Sequence, residues 1–488
     1  MKLRMKYREL LTQYKISEVT SNSKEVKTGS AFVAIRGEKF DGNDFIEDAI
    51  QVGANLIFTE RNDLIAKYKD IIPVIYTDNP RQALASIATE LAGKVPANLI
   101  AVTGTNGKTS TVHYIAQLLS CMGHKTATIG TLGVNLYHDV NNIEFLVNTG
   151  LTTAGSTEFN KQLAILKEKG VEYCIIEASS IGLEQCRLYG RKFKVAGFTS
   201  FSRDHIDYHK TMGAYLKAKL LLFSDYLEDE AIAVINSDMQ EYDKIAHYLD
   251  AIKKNYVSVG SHGDFQVKLL PASVDEQEFS FLYKDSSYRL KTNILGNFQV
   301  SNIALAVAML CSIGYEIAHI LPYIPNLTSP PGRLERVTSE GYGASIFIDY
   351  AHTPDALENV LKELKEISLL RKGKVFVVFG CGGDRDKGKR ALMGEVASKY
   401  ADIIIITDDN PRSESPEAIR KEILEAASSA IEIAGRREAI KYAIDNMQRE
   451  DLVLIAGKGH EDYQIIGNMS YKFSDKEVAK AICDKKPL

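Results

Sequence analysis

Residues 98–110 read NLIAVTGTNGKTS, and their types at this spacing suit phosphate chemistry. A short apolar run, Leu99 to Val102, enters a turn holding Gly104, Thr105, Asn106 and Gly107. Lys108, Thr109 and Ser110 follow, and then the helical stretch TVHYIAQLLSCMG. Glycines let backbone N–H groups approach a phosphate, and the start of the helix adds positive potential. Lys108 has the reach for β- and γ-phosphates, and the Thr109 hydroxyl suits a Mg²⁺ ion. The general phosphate-loop pattern asks for a glycine where this chain has Val102, so it is met only in part. The alternative, a glycine turn carrying a surface lysine, is disfavoured by the strand before it and the helix after it.

Elements must position that loop. The chain has 488 residues, enough for about three domains. At 45% hydrophobic and 25% charged it has apolar content for several cores. A net charge of −4 marks no nucleic-acid binder. MKLRMKYRELLTQYK is charged and lacks an apolar core segment, so no signal peptide is expected there. The longest apolar runs, such as Ile403–Ile406, suit buried strands and not a membrane span. Cys121, Cys174, Cys186, Cys311, Cys381 and Cys483 form no C-x-x-C pair, which fits reduced cytoplasmic thiols.

Three blocks emerge. Residues 1–97 alternate short strands (Ser30–Ile35, Asn55–Thr59, Val74–Tyr76) with helical stretches (Asp44–Val52, Arg81–Ala92). Gly93–Asn98 reads as a linker. Residues 98–330 hold the phosphate loop, the strand-like YCIIEASS, KVAGFTSF and AIAVINSD, and antiparallel strands within SVDEQEFSFLYKDSSYRLKTNIL. PNLTSPPGRLE reads as a hinge. In residues 331–488, KVFVVFG, ADIIIITDD and DLVLIAGKG are continuous apolar runs of the kind found in buried parallel strands.

Motif by motif, the whole chain resembles the Mur ligase family of ATP-dependent amide ligases, which build the cytoplasmic peptidoglycan precursor. The resemblance rests on Thr103–Ser110, on FTSFSRDHIDYH (Phe198–His209) and on LGNFQVSNIALA (Leu295–Ala306). It rests further on PGRLE (Pro331–Glu335), IDYAHTPDAL (Ile348–Leu357), GCGGDRDKGKR (Gly380–Arg390), TDDNPR (Thr407–Arg412) and AGKGHEDYQ (Ala456–Gln464). The last three resemble the branch that adds the third residue of the stem peptide, with diaminopimelate as the residue added.

The resemblance implies three α/β domains: a UDP-binding first domain, a central P-loop ATPase-type domain and a Rossmann-like third domain. It implies ATP and Mg²⁺ as cofactors, and UDP-N-acetylmuramoyl-L-alanyl-D-glutamate and meso-diaminopimelate as substrates. A cytoplasmic monomer free of nucleic acid and membrane is expected. The carboxylate would be activated as an acyl phosphate, a reaction governed by positioning and charge neutralisation. Thr109, Glu177 and His205 stand at metal-ligand positions. Lys219 stands where family members carry a lysine carbamate, which only a neutral amine forms, so desolvation must lower its pKa. Lys217 is close by, but the A-K-x-x-L frame selects Lys219. A solvent-facing helical lysine is the plain alternative.

Asn302, Arg333, Asp349 and His352 fall on the nucleotide side, with Asp349 equally readable as a turn cap. Ser23 falls at the uridine position of TSNSKEVKTGSAFVAIRG, and Thr152, Thr153, Ser180, Gln185 and Arg187 at positions that contact the UDP-sugar dipeptide. In the amino-acid pocket, Arg412 of DNPR would hold the far carboxylate of diaminopimelate, which lysine lacks. Arg385 would meet another carboxylate, with Asp409, Asn410, Pro411, Gly457 and Glu461 around them. DNPR alone also reads as a capped helix start. Lys24, Ala154, Ile181, Ser200 and Gln299 depart from the residues usual in the family. A lysine-adding ligase is the rival within the class, a folate polyglutamate ligase a more distant one, and an inactive nucleotide-binding scaffold the rival outside it.

Overall fold

The computed structural model describes residues 2–37, 39–139, 142–270, 276–337 and 345–484. Part of the antiparallel segment expected from the sequence, Ser273–Asp275, lies outside these residues.

Residues near the N-terminus form a parallel sheet in chain order: Glu18–Thr20, Ser30–Val33, Ala54–Thr59 and Val74–Tyr76. Helix Pro80–Leu91 starts at a proline capped by Asn79, whose side chain accepts from the Gln82 amide, as suits a first helical turn. Its Ala83, Leu84, Ile87 and Ala88 recur at helical spacing and cover Val33, Leu56 and Phe58. Beyond it, Arg191 donates to the Asn160 side chain and to the Thr89 carbonyl, tying this unit to the next.

The central sheet has the loop strand Asn98–Thr103 between Phe193–Phe198 and Tyr173–Glu177, all parallel. The register sets Val102 beside Gly197 on one side and Glu177 on the other. The three strands therefore end together, and residues past their carboxyl ends share one crevice, the usual binding place of such sheets. Helix Lys108–Cys121 packs against helix Asn297–Ser312. Val300, Ile303, Ala304 and Val307 of the latter are all buried against that neighbour's core. The strand expected at AIAVINSD starts earlier and spans Leu227–Asn236, because Leu227 also pairs, opposite Phe193, with a register shift before Ile232 meets Val195. Gln277–Tyr283 and Ser286–Thr292 form the expected antiparallel extension.

In the last sheet Ser345–Asp349, Leu452–Ala456, Val375–Phe379, Ile403–Ile406 and Ile431–Glu432 run parallel. Glu335–Val337 adds an antiparallel edge. The first four strands are almost wholly buried, which accounts for their unbroken apolar runs. Asp349 pairs in register with Ala456, so the segments 349–355, 380–390, 407–412 and 457–464 all leave the sheet at its carboxyl ends. The six cysteines are free thiols. Among the described residues no helix is long and apolar enough to cross a membrane.

Candidate active site

The phosphate loop is built on two glycines with positive φ, Gly104 at +147° and Gly107 at +85°. A Cβ at Gly104 would lie 1.9 Å from Thr199 Oγ1, and one at Gly107 would lie 2.4 Å from Asn302 Oδ1, so neither position admits a side chain. Gly107 caps helix Lys108–Cys121 without a side chain of its own, which leaves the first-turn amides to a ligand. Lys108 Nζ donates to the carbonyls of Gly104 (3.0 Å) and Thr105 (2.8 Å), curled over the loop that an anion would occupy. Burial lowers its pKa, against the pull of Glu177 and Asp204.

The loop is braced from the neighbouring strand end. The amides of Thr105 and Asn106 donate to the Ser200 carbonyl and to Ser200 Oγ. Ser200, one of the departures from the family pattern, thus acts as a loop brace. Gln299, another, is fully buried: it accepts from the Tyr114 hydroxyl and the Asn302 amide and donates to the Arg333 carbonyl.

Lys219 lies under the loop. On helix Met212–Leu221, Tyr215 and Lys219 are one turn apart and both buried, whereas Lys217 is exposed. Lys219 is 1% exposed, its Nζ donates to the Gly104 carbonyl at 2.6 Å, and it stands 4.5 Å over the Tyr215 ring. Tyr215 in turn shares a 3.1 Å hydrogen bond with Thr105. Desolvation, helped by Lys108, holds the Lys219 pKa well below that of an ordinary lysine. The solvent-facing alternative is therefore wrong for this side chain.

Thr109 Oγ1 donates to Glu177 Oε2 at 3.0 Å and accepts from Arg333 Nη2 at 3.1 Å. Thr131 donates to both Glu177 oxygens, through its amide and its hydroxyl. His205 stands at the cleft rim with φ +53°. Partial desolvation lowers its pKa, against Asp204 and with Lys108 and Lys219. Among the described residues no group of three or more His, Cys, Asp or Glu side chains forms a metal cage. A Mg²⁺ ion held by one or two protein oxygens, phosphates and water needs none.

A cavity of about 530 Å³ gathers Thr105–Ser110, Glu177, His205, Asn302, Arg333, Asp349 and His352. Arg333 stacks 4.5 Å over the Tyr350 ring. Asp349 does act as a turn cap, accepting from the Leu334 and Ala351 amides, while burial pushes its pKa up to about 6. Burial holds His352 neutral, its pKa down to about 4. A second cavity of about 690 Å³ is lined by His113, Phe145, Leu151, His460, Glu461 and Tyr463. The two adjoin, sharing Thr131, Thr152 and Tyr350.

Thr153, Ser180, Gln185 and Arg187 form a connected group beside these cavities. Arg187 donates to the Thr153 carbonyl and to Gln185 Oε1, and Ser180 Oγ pairs with His209 Nε2. Ser23 belongs to the first unit, where it opens a short 3₁₀ turn between the strands Glu18–Thr20 and Ser30–Val33. In the third unit Arg412 has φ +52° and donates from Nη1 to the Gly383 carbonyl, which leaves most of its guanidinium donors uncommitted. Gly457, at φ +110°, brings its segment against Asp409, where a Cβ would lie 2.7 Å from Oδ2. Pro411 and Asn410 are buried, and Arg385 is exposed on its loop.

Sequence reasoning missed Thr131, Asp204, Asp355 and Lys458. Asp355 accepts from both Asn106 Nδ2 and Ser202 Oγ, joining the third unit to the phosphate loop. Asp204, Asp355 and Lys458 lie inside motifs quoted above and were open to discovery there. Thr131 and Asp355 act through contacts that no local pattern announces.

Family patterns match along the chain: the Mur ligase family catalytic domain at residues 15–91, the Mur ligase middle domain at 102–310 and the glutamate ligase domain of Mur ligases at 332–459. The chain is 45% identical over 475 residues to the UDP-N-acetylmuramoyl-L-alanyl-D-glutamate--2,6-diaminopimelate ligase of Rickettsia conorii, covering 97% of each. It is 40% identical to that of Mesorhizobium japonicum, over 96% of this chain and 94% of the other. A solved structure of a ligase of the same name aligns with a TM-score of 0.68 at 31% identity, over 96% of this chain and 95% of the other. The MurF ligase of Thermotoga maritima in complex with ADP shares the fold, with a TM-score of 0.63 at 20% identity and coverage of 97% and 98%.

Proposed function

The chain belongs to the Mur ligase family, and from that membership we propose its reaction. It joins meso-2,6-diaminopimelate to the D-glutamate γ-carboxylate of UDP-N-acetylmuramoyl-L-alanyl-D-glutamate at the expense of ATP, in peptidoglycan precursor synthesis. The relatives at 40–45% identity bear that activity in their names. The structural observation that carries the reading is the pair of adjoining cavities, one holding the phosphate loop and the other Glu461, with Thr131, Thr152 and Tyr350 between them. An activated carboxylate and an incoming amine need such neighbouring sites.

The three units divide near residues 97/98 and 330/331, in the order UDP-sugar, nucleotide, amino acid. ATP and Mg²⁺ supply the phosphoryl group that converts the carboxylate to an acyl phosphate and the charge that eases its transfer. The residues present fit them: uncapped amides at Gly107, a hydroxyl–carboxylate pair at Thr109 and Glu177 whose mutual hydrogen bond a cation would replace, and His205 at the rim. Lys108 neutralises phosphate charge. Asn302, Arg333, Asp349 and His352 flank the base and ribose. The neutral Lys219 amine adds CO₂, forming an N–C bond and releasing one proton. The nitrogen keeps one hydrogen, so its bond to Gly104 can persist, and the new carboxylate would be available to help hold Mg²⁺. Ser23, Thr152, Thr153, Ser180, Gln185 and Arg187 receive the UDP-sugar dipeptide. Arg412, Arg385, Asp409, Asn410, Pro411, Gly457 and Glu461 receive the amino acid, whose amine displaces phosphate from the acyl group. A reaction that consumes ATP and a UDP-linked precursor suits the cytoplasm.

The test is ADP release by the purified protein with all three substrates and with each omitted. One ADP per amide formed, no more than one ADP per enzyme when the amino acid is left out, and none without the UDP-dipeptide supports the reading. Continuing ATP hydrolysis without the amino acid, or no turnover, contradicts it.

A further inference from the structure

We infer that Lys458 is a positioning residue for amino-acid selection, one that holds Glu461 and Asn410 and sets the charge of the pocket against a lone ammonium group. The inference rests on the reading of Arg412 and Glu461 as the amino-acid pocket.

Lys458 is 0% exposed, and a buried ammonium group persists only with partners. Its Nζ donates to Asn410 Oδ1 at 3.1 Å and lies 3.3 Å from Glu461 Oε2. Asn410 Nδ2 also donates to Glu461 Oε2, at 3.0 Å. Two donors thus converge on one carboxylate oxygen, and Oε1 is the oxygen this pair leaves unengaged. Glu461 lines the larger cavity.

The same lysine joins two segments that are 48 residues apart. Asn410 Oδ1 accepts from the Ile465 amide as well, and the Arg412 amide donates to the Ile465 carbonyl. Gln464 Nε2 donates to the Asp409 carbonyl. The segment that carries Arg412 is therefore registered against the segment that carries Glu461, with Lys458 as the buried charge between them.

Charge then selects. Arg412, Arg385 and Lys458 bring three positive charges, and Asp409 and Glu461 two negative ones, so the set carries one positive charge in excess. A substrate end bearing both an ammonium and a carboxylate adds no net charge to this set. A lysine side chain adds one positive charge with no anion for Arg412. Lys458 already neutralises part of the Glu461 carboxylate, so the pocket gives that lone ammonium little. Selectivity arises here as much from disfavouring the wrong end as from binding the right one.

The test compares kcat and KM of the full-length enzyme with meso-diaminopimelate and with L-lysine, for wild type, Lys458→Met and Lys458→Gln. Gln keeps a hydrogen bond to Asn410 but carries no charge. In both variants KM for diaminopimelate is expected to rise about tenfold or more, with kcat and the KM for ATP within about twofold of wild type. The ratio of kcat/KM for diaminopimelate to that for lysine is expected to fall at least tenfold. A wild type that does not discriminate overturns the pocket reading itself. A discriminating wild type whose ratio is unchanged in both variants overturns this inference alone. So does an equal loss towards all substrates, or the failure of both variants to fold, since each makes Lys458 a core residue only.

Discussion

Lys219 Nζ donates a 2.6 Å hydrogen bond to the carbonyl of Gly104, joining a helix to a phosphate loop 115 residues earlier in the chain. The bond fixes a desolvated amine next to the place where phosphate charge must be neutralised. A lysine there is poised to be neutral, because burial penalises its charged form.

Lys219→Ala is expected to lose about 10²-fold or more in kcat, the scale set by removing one preorganised charge-stabilising group. Acetate added to this variant is expected to restore part of the rate. Lys219→Arg is expected to stay inactive, since a guanidinium does not form a carbamate. Initial rates with and without acetate check this, and an active Arg variant refutes the carbamate.

Lys108 makes its hydrogen bonds to loop carbonyls and contributes no side chain to the core. Lys108→Ala is expected to reduce ligation by about 10²–10³-fold while Tm stays within a few degrees of wild type. Near-normal ATP-dependent turnover contradicts the loop assignment.

Arg436 and Asp475 form a fully buried two-bonded pair, with distances of 2.8 and 2.7 Å. Arg436 also donates to the Ala456 carbonyl, at the strand end that launches the segment with Lys458 and Glu461. Asp475→Ala strands a buried guanidinium and is expected to cost about 3–5 kcal/mol. Replacing both residues with apolar ones is expected to recover much of the loss. Urea unfolding of the single and double variants measures the difference.

His113 is buried, paired with the Tyr137 hydroxyl, and its pKa is lowered to about 3 by desolvation and by Arg333. The unfolded chain protonates this residue below about 6.5 while the folded protein keeps it neutral. Its contribution to stability is therefore intact above about pH 6.5 and is lost as pH falls towards 3. His113→Asn removes the titration but also a packed ring, so it is less stable at pH 7. The gap to wild type is expected to shrink by about 2 kcal/mol between pH 6.5 and 5. Tm measured for both proteins at the two pH values checks it, and a constant gap contradicts it.

The strands of the last sheet were legible because burial on both faces demands unbroken apolar runs, as in Val375–Phe379 and Ile403–Ile406. Leu227–Asn236 was read short because the exposed polar residues Glu228–Glu230, which lie in a register shift, separate the paired Leu227 from the apolar run that signals the strand. Lys219 was placed by motif alone, for nothing in YLKAKLLLF distinguishes a lysine under the loop from one in water. The docking role of Asp355 was invisible for a related reason: its partners Asn106 and Ser202 lie 249 and 153 residues away, and only the docking of the third unit brings them within reach.

The most direct test of the account is the choice of amino acid. Arg412 keeps most of its donors free for a second carboxylate, and leaving a desolvated guanidinium unpaired costs roughly 2–5 kcal/mol. At ~1.4 kcal/mol per decade, kcat/KM of the wild-type enzyme for meso-diaminopimelate is expected to exceed that for L-lysine by about 10²-fold or more. Equal values for the two amino acids would contradict the assignment and make the protein a lysine-adding or unselective ligase.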